Sequence, residues 1–129
     1  MSIIPPDLRY TASHEWVRDE GDGTVTVGIT DFAQAQLGDI VLVDLPTAGT
    51  AVEAGDVVGA VDSVKAASDI YTPVTGVVQD SNGQLETGPE RVNQDAYAAW
   101  FMRIRLDDPA QLNALLDAEG YGSIVPQSS

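Results

Sequence analysis

Lys65 is the one lysine of this 129-residue chain, and it stands in Val61-Asp62-Ser63-Val64-Lys65-Ala66-Ala67-Ser68-Asp69. Five arginines carry the remaining positive charge, so an enzyme that joins an acid to an amine finds a single side-chain target. Two chemistries are open to such an amine. It can be acylated by another protein and become the anchor of a prosthetic group, or it can act itself as a Schiff-base nucleophile. The second requires an uncharged amine, obtained by burial or from a neighbouring cation. Asp62 and Asp69 favour the ammonium form instead, and no cation lies close in sequence. The plain alternative is an ordinary surface lysine. The turn spacing around Lys65 and the absence of a rival amine weigh against it, so attachment is the stronger reading.

The elements that must hold this lysine are short strands and turns. Leu8-Arg9-Tyr10 and Glu15-Trp16-Val17-Arg18 read as extended pieces. Glu20 to Gly23 forms a turn, and Thr24 to Ile29 has the β-branched content of a strand. Thr30 or Asp31 can cap a short helix over Phe32–Leu37 that Gly38 ends. Ile40-Val41-Leu42-Val43 reads as a buried strand. Val57–Asp62 leads up to the lysine and Asp69–Pro73 leads away, with Val57, Val58, Val61 and Ile70 expected to anchor both legs. Ala54-Gly55-Asp56-Val57-Val58 and Val74-Thr75-Gly76-Val77-Val78 resemble one another, which suggests two sheet layers related by a pseudo-twofold, with the lysine hairpin joining them. A strand follows Trp100. Asp107 or Asp108 then caps a C-terminal helix with Pro109 in its first turn, Leu112, Leu115 and Leu116 as its stripe, and Gly120 at its end. Residues 126–129 read as a frayed tail. The expected fold is mostly β, a sandwich or flattened barrel with short peripheral helices, in one domain over residues 1–129.

Composition narrows the function further. A formal net charge of -14 argues against nucleic acid and anionic membranes as partners, because phosphates are repelled and six dispersed cations cannot build a basic patch. Basic protein surfaces are attracted instead. With no cysteine there is no disulfide, thiolate or sulfur-rich metal site. His14 alone leaves little for a zinc centre, and no metal site is expected. Neither a signal peptide nor a membrane span is apparent. A cytoplasm-like compartment is the default expectation, and the composition is equally compatible with a processed organellar protein.

Several stretches together resemble a known family. They are Ser13-His14-Glu15-Trp16-Val17, Val27-Gly28-Ile29-Thr30-Asp31-Phe32-Ala33, Leu37-Gly38-Asp39-Ile40-Val41 and Ser63-Val64-Lys65-Ala66-Ala67-Ser68-Asp69. Pro73-Val74-Thr75-Gly76, Pro89-Glu90, Val92-Asn93 and Leu112-Asn113-Ala114-Leu115-Leu116-Asp117 continue the match. In this order and spacing they are similar to the H protein of the glycine cleavage system, a lipoyl carrier. The resemblance runs from about Tyr10 to Tyr121.

That resemblance implies a barrel-sandwich hybrid of the lipoyl/biotinyl type, with the hairpin tip at about 62–69. It implies lipoic acid bound covalently as N6-lipoyllysine at Lys65. Acylation removes one positive charge, taking the balance from -14 to -15, and gives an arm with a reach of roughly 15 Å. In the family, a pyridoxal-phosphate glycine decarboxylase (P protein) loads an aminomethyl group, with loss of carbon dioxide. A tetrahydrofolate-dependent aminomethyltransferase (T protein) removes it, and dihydrolipoamide dehydrogenase (L protein) reoxidises the dithiol. The carrier is not itself an enzyme; it presents and shelters, and is expected to be a monomer. Asp62, Val64 and Ala66 are the candidates for recognition by the lipoate-attaching enzyme. Ser13, Glu15 and Asp69 are the candidates for a cleft that holds the loaded arm, lined on one side by the Leu37 region. Their oxygens could hold an ammonium group. The bland reading makes Ser13 a turn cap and Glu15 an exposed strand acid. His14 fits a structural or docking role better than catalysis.

The chain departs from the family in having Asp62 where glutamate is usual, and in Ala98-Ala99 before the tryptophan. Other readings explain less. A lipoyl domain of a 2-oxo acid dehydrogenase would leave the block through Val41 and the last helix unexplained. A biotin carrier has methionines flanking its lysine, where this chain has Val64 and Ala66. An unmodified structural or regulatory relative would not need Lys65, and an independent enzyme would need a nucleophile, base or metal cluster that these residues do not supply.

Overall fold

Alternation of Val25, Val27 and Ile29 makes Thr24–Ile29 (β3) the spine of the molecule, its six residues all buried. In the computed structural model, which describes residues 4–125, β3 sits inside a six-stranded antiparallel sheet. Its neighbours are β1 (Arg9–Tyr10), β2 (Glu15–Asp19), β5 (Ala51–Val52), β8 (Gly76–Ser81) and β9 (Met102–Leu106), in the order β1-β2-β3-β9-β8-β5. A second sheet, of order β4-β6-β7, holds β4 (Ile40–Asp44), β6 (Val57–Ser63) and β7 (Ala67–Tyr71).

The main core lies between the sheets. Val17, Val25, Val27, Met102 and Ile104 of the larger sheet pack with Ile40, Val43, Val61 and Ile70 of the smaller. A fully buried side chain of this kind contributes about 1.5–3 kcal/mol. The outer face of the larger sheet carries a second cluster, Leu8, Tyr10, Trp16, Tyr121 and Val125. Trp16 lies so close over β3 that a Cβ on Gly28 would meet its ring at 2.6 Å, so only glycine fits there. The Trp16 indole N–H donates to the Ala96 carbonyl at 3.0 Å.

The mostly β, barrel-sandwich architecture with peripheral helices and a C-terminal helix is present. The first helix, α1 (Asp31–Leu37), is capped by Thr30 and ends at Gly38, as the sequence predicts. Two single-turn helices, α2 (Gln84–Thr87) and α3 (Arg91–Gln94), follow the turn-forming Asn82-Gly83 and Gly88-Pro89-Glu90, and are too short to leave a periodic signal. Four readings need correction. Ile40 to Val43 is not wholly buried: the register shifts between Ile40 and Leu42, and Val41 and Leu42 are each 52% exposed. Val57 is 55% exposed, so the legs are anchored by Val61 and Ile70, with Val58 partly buried. The lysine hairpin does not join the two sheets, because β6 and β7 pair with each other in one sheet; the repeated segments do fall in different sheets, Val57-Val58 in β6 and Val77-Val78 in β8.

The C-terminal helix is displaced. Asp108 caps a 3₁₀ helix over Pro109–Ala114, and the chain then extends. Leu116 exchanges backbone hydrogen bonds with Tyr10, at 2.7 and 2.9 Å. Asp117 starts a new helix, α4 (Ala118–Ile124), by accepting from the Gly120 amide at 2.7 Å, so Gly120 lies inside a helix. Pairing with β1 overrides the leucine periodicity. The expected frayed tail at 126–129 lies outside the described residues.

Candidate functional site

Lys65 occupies the turn between β6 and β7, and Val64, Lys65, Ala66 and Ala67 are all exposed. The turn is closed by Ser63. Its amide donates to the Ala66 carbonyl at 2.7 Å, while its Oγ accepts from the Ala66 amide at 3.0 Å and the Lys65 amide at 3.3 Å. Small residues on either side leave the amine open. A backbone this fully hydrogen-bonded fixes the Cα of Lys65, while the side chain as a whole remains exposed. Such an amine is suited to acylation by a second protein.

The tip is also tied to the body. The Val64 amide donates to the Asp39 carbonyl at 3.1 Å, across to the segment that joins α1 to β4. Next to Asp39, a Cβ placed on Gly38 would lie 3.5 Å from Lys65 Cε. The outer end of the lysine stem therefore lies over the bare backbone of Gly38.

Asp62 is half-buried and paired with Leu42 on β4 and Ala67 on β7. Asp69 is exposed two positions further along β7, opposite Ala60. Val64 and Ala66 flank the lysine at the tip, whereas Asp62 and Asp69 lie on the two strands below it, and neither carboxylate is bonded to the amine.

Ser13 and Glu15 are brought together directly. Glu15 is only 2% exposed, although it is a carboxylate. Its Oε1 accepts from the Ser13 and Thr11 hydroxyls, each at 2.6 Å, and its Oε2 faces the Tyr71 amide on β7 at 3.5 Å. Burial raises the Glu15 pKa above 4.5, and the bonds from Ser13 and Thr11 oppose the rise. The reading of Glu15 as an exposed strand acid is thus overturned. It sits where the end of β2 meets the free edge of β7, the strand that also carries Asp69. Ser13 is exposed, and Asp69 is linked to the pair only through its strand.

His14 is structural. It adopts a φ of 72°, and its Nδ1 stands 2.7 Å from the Tyr121 hydroxyl. Its ring packs on Phe32 at 4.9 Å. A hollow of about 450 Å³ between β5 and β8, lined by Glu53, Asp56, Thr75 and Asp107 among others, includes no residue of the lysine hairpin. Among the described residues no group of three or more acidic or histidine side chains is placed to hold a metal ion, and no helix is long and apolar enough to cross a membrane.

The sequence offers Asn93 only as part of the Val92-Asn93 match, yet it supports the site. Asn93, on α3, bonds to Gly38, Ile40 and Gln34. An asparagine beside a buried valine carries no sequence signal for such long-range contacts.

Comparison with known proteins gives the family of the chain. A family model described as glycine cleavage H-protein matches residues 8–128. The glycine cleavage system H protein of Burkholderia ambifaria (strain MC40-6) is 54% identical over 125 residues, spanning 97% of this chain and 99% of that protein. That of Laribacter hongkongensis (strain HLHK9) is 57% identical over 122 residues, spanning 94% and 96%. The crystal structure of a glycine cleavage system H protein from Mycobacterium marinum superposes with a TM-score of 0.84 at 36% identity, covering 93% of this chain and 97% of that one. The chain belongs to the glycine cleavage H-protein family, whose members are non-catalytic lipoyl-lysine carriers of the glycine cleavage system.

Proposed function

We propose that Lys65 is the residue that carries the lipoyl group, as N6-lipoyllysine, and that the chain acts as a single carrier domain. The observation that carries this reading is the exposed amine on a turn held by Ser63 and tethered through Val64 to Asp39. The residues present suit the group. Ala66 and Ala67 crowd nothing, and Gly38 has no side chain to block the stem. When bound, lipoic acid supplies a dithiolane that accepts and releases the one-carbon amine unit.

Everything else is the work of this chain's residues. Asp62, Val64 and Ala66 form the face by which a lipoate-attaching enzyme selects Lys65. Ser13, Glu15 and Asp69 form the polar wall against which the arm rests between enzymes. Glu15 is already desolvated and held by two hydroxyls, so an ammonium group brought beside it meets an oriented acceptor rather than a hydrated one. The partners are those with which the family works: the glycine decarboxylase, the aminomethyltransferase, dihydrolipoamide dehydrogenase and the lipoate-attaching enzyme. Each would meet a monomer of strongly acidic surface in the bacterial cytoplasm.

Intact-mass measurement of protein from its native host, followed by peptide mapping, tests the reading. A lipoyl adduct on Lys65 is expected. Biotin, or an unmodified lysine in cells with an active glycine cleavage system, would overturn it.

A further inference from the structure

Asn93 directs all three of its side-chain hydrogen bonds to α1 and the segment that supports the lysine hairpin. Its Nδ2 donates to the Gly38 carbonyl at 2.7 Å and to Gln34 Oε1 at 2.9 Å, and its Oδ1 accepts from the Ile40 amide at 2.8 Å. An amide side chain has two N–H donors, and both are used here. The peptides on either side of Asp39 are thereby clamped. Asp39 itself presents the carbonyl that holds the Val64 amide. Gly38, with φ 78° and ψ -148°, adopts a backbone conformation that is essentially restricted to glycine. The lysine stem passes over it.

We infer that Asn93 is a positioning residue for the carrier arm, fixing residues 38–40 and through them the direction in which Lys65 leaves the hairpin tip. The inference rests on the reading of Lys65 as the attachment site. The Ser63 bonds set the internal shape of the turn but not its tilt against the body. The Val64–Asp39 bond, beside the pairing of Ser63 with Ile40, sets that tilt, and Asn93 holds the 38–40 side of both. Without Asn93, the α1–β4 connection would retain the Gly38 amide bond to Gln34 but lose the carbonyl and Ile40 ties. A looser tip offers its amine to a docked enzyme in many orientations, most of them unproductive.

The test compares three full-length variants: Asn93→Ala, Asn93→Asp and, as a control for general destabilisation, Val25→Ala in the core. Asn93→Asp keeps an acceptor for the Ile40 amide but sets a carboxylate oxygen against the Gly38 carbonyl. It serves should Asn93→Ala fail to fold. Amide hydrogen exchange is followed by NMR, and acylation of Lys65 by a lipoate-attaching enzyme is followed with carrier as the varied substrate. Loss of the clamp should speed exchange at Val64 about tenfold beyond any global change, and lower kcat for acylation by a similar factor. Val25→Ala should do neither once matched for stability. Asn93 variants that exchange at Val64 and accept lipoate like Val25→Ala would overturn the positioning role. Failure of the wild-type chain to be acylated at Lys65 would instead overturn the attachment reading, and exchange at Val64 would still report the clamp separately.

Discussion

The imidazole Nδ1 of His14 stands 2.7 Å from the phenolic oxygen of Tyr121, and this contact fastens the turn that carries Ser13 and leads into Glu15 of β2 to the C-terminal helix. The same hydroxyl lies 2.7 Å from Thr30 Oγ1, the cap of α1. Burial pushes the Tyr121 phenol up to about 12, so it stays neutral at any working pH. Three separate pieces of chain thus meet at one oxygen.

Tyr121→Phe removes that oxygen but keeps the ring stacked on Tyr10, whose centroid is 4.7 Å away. Two hydrogen bonds are lost inside the protein, so the expected cost is about 1–2 kcal/mol. Urea denaturation should show a lower midpoint with an unchanged slope. Burial also holds the His14 pKa below 6.5. Between that lowered value and 6.5 the unfolded chain binds more protons, so the His14 contribution to stability grows as pH rises through the window.

Glu15 has the opposite sign. Its folded pKa is raised above 4.5 by burial, so in the window from 4.5 upward the native state keeps a proton that the unfolded chain has lost. Its contribution to stability is present at lower pH and is lost as pH rises through the folded value. Glu15→Gln keeps an oxygen for the Ser13 and Thr11 hydroxyls and removes the titration. Melting temperatures measured from pH 4 to 8 in about half-unit steps should show this downward contribution in the wild type and none in the variant.

Gly28→Ala should be among the more costly single-methyl changes in the chain. The added carbon would stand 2.6 Å from Cε2, Cζ2 and Nε1 of Trp16, a ring already fixed by its bond to Ala96. Overpacking of this kind costs about 1–3 kcal/mol. Urea unfolding monitored by tryptophan fluorescence would report both the loss and any shift of the indole.

Lys65→Arg keeps the positive charge at an exposed position, where substitutions change stability by about 0.5 kcal/mol or less. An arginine cannot form the lipoyl amide. The variant should fold and melt like the wild type, gain no mass when treated with lipoate and its attaching enzyme, and support no glycine decarboxylation. Retained carrier activity would remove Lys65 from its proposed role.

Many of the strands were legible because local chemistry and global packing agree. The β-branched content of β3, the Thr30 cap with its Gly38 stop, and the lone lysine on a turn between two strands each read the same way in sequence and in space. Disagreements arose where a distant partner decided. Leu112, Leu115 and Leu116 have helical spacing, yet Tyr10 draws Leu116 into a β-bridge and splits the helix. Val41 and Leu42 look like core residues, but the register shift beside Ile40 turns them to solvent. Nothing local marks Glu15 as buried.

The sequence by itself therefore determined that one amine would stand on a tight turn between two strands, because residue counts, turn chemistry and β-propensity act over a few neighbouring positions. Only the tertiary structure decided what surrounds that amine. The closing of Glu15 against β7, the passage of the lysine stem over Gly38 and the grip of Asn93 on residues 38–40 join positions as many as 56 residues apart. Such contacts are set by how two sheets and a helix end come together, and no short stretch of chain encodes that alone.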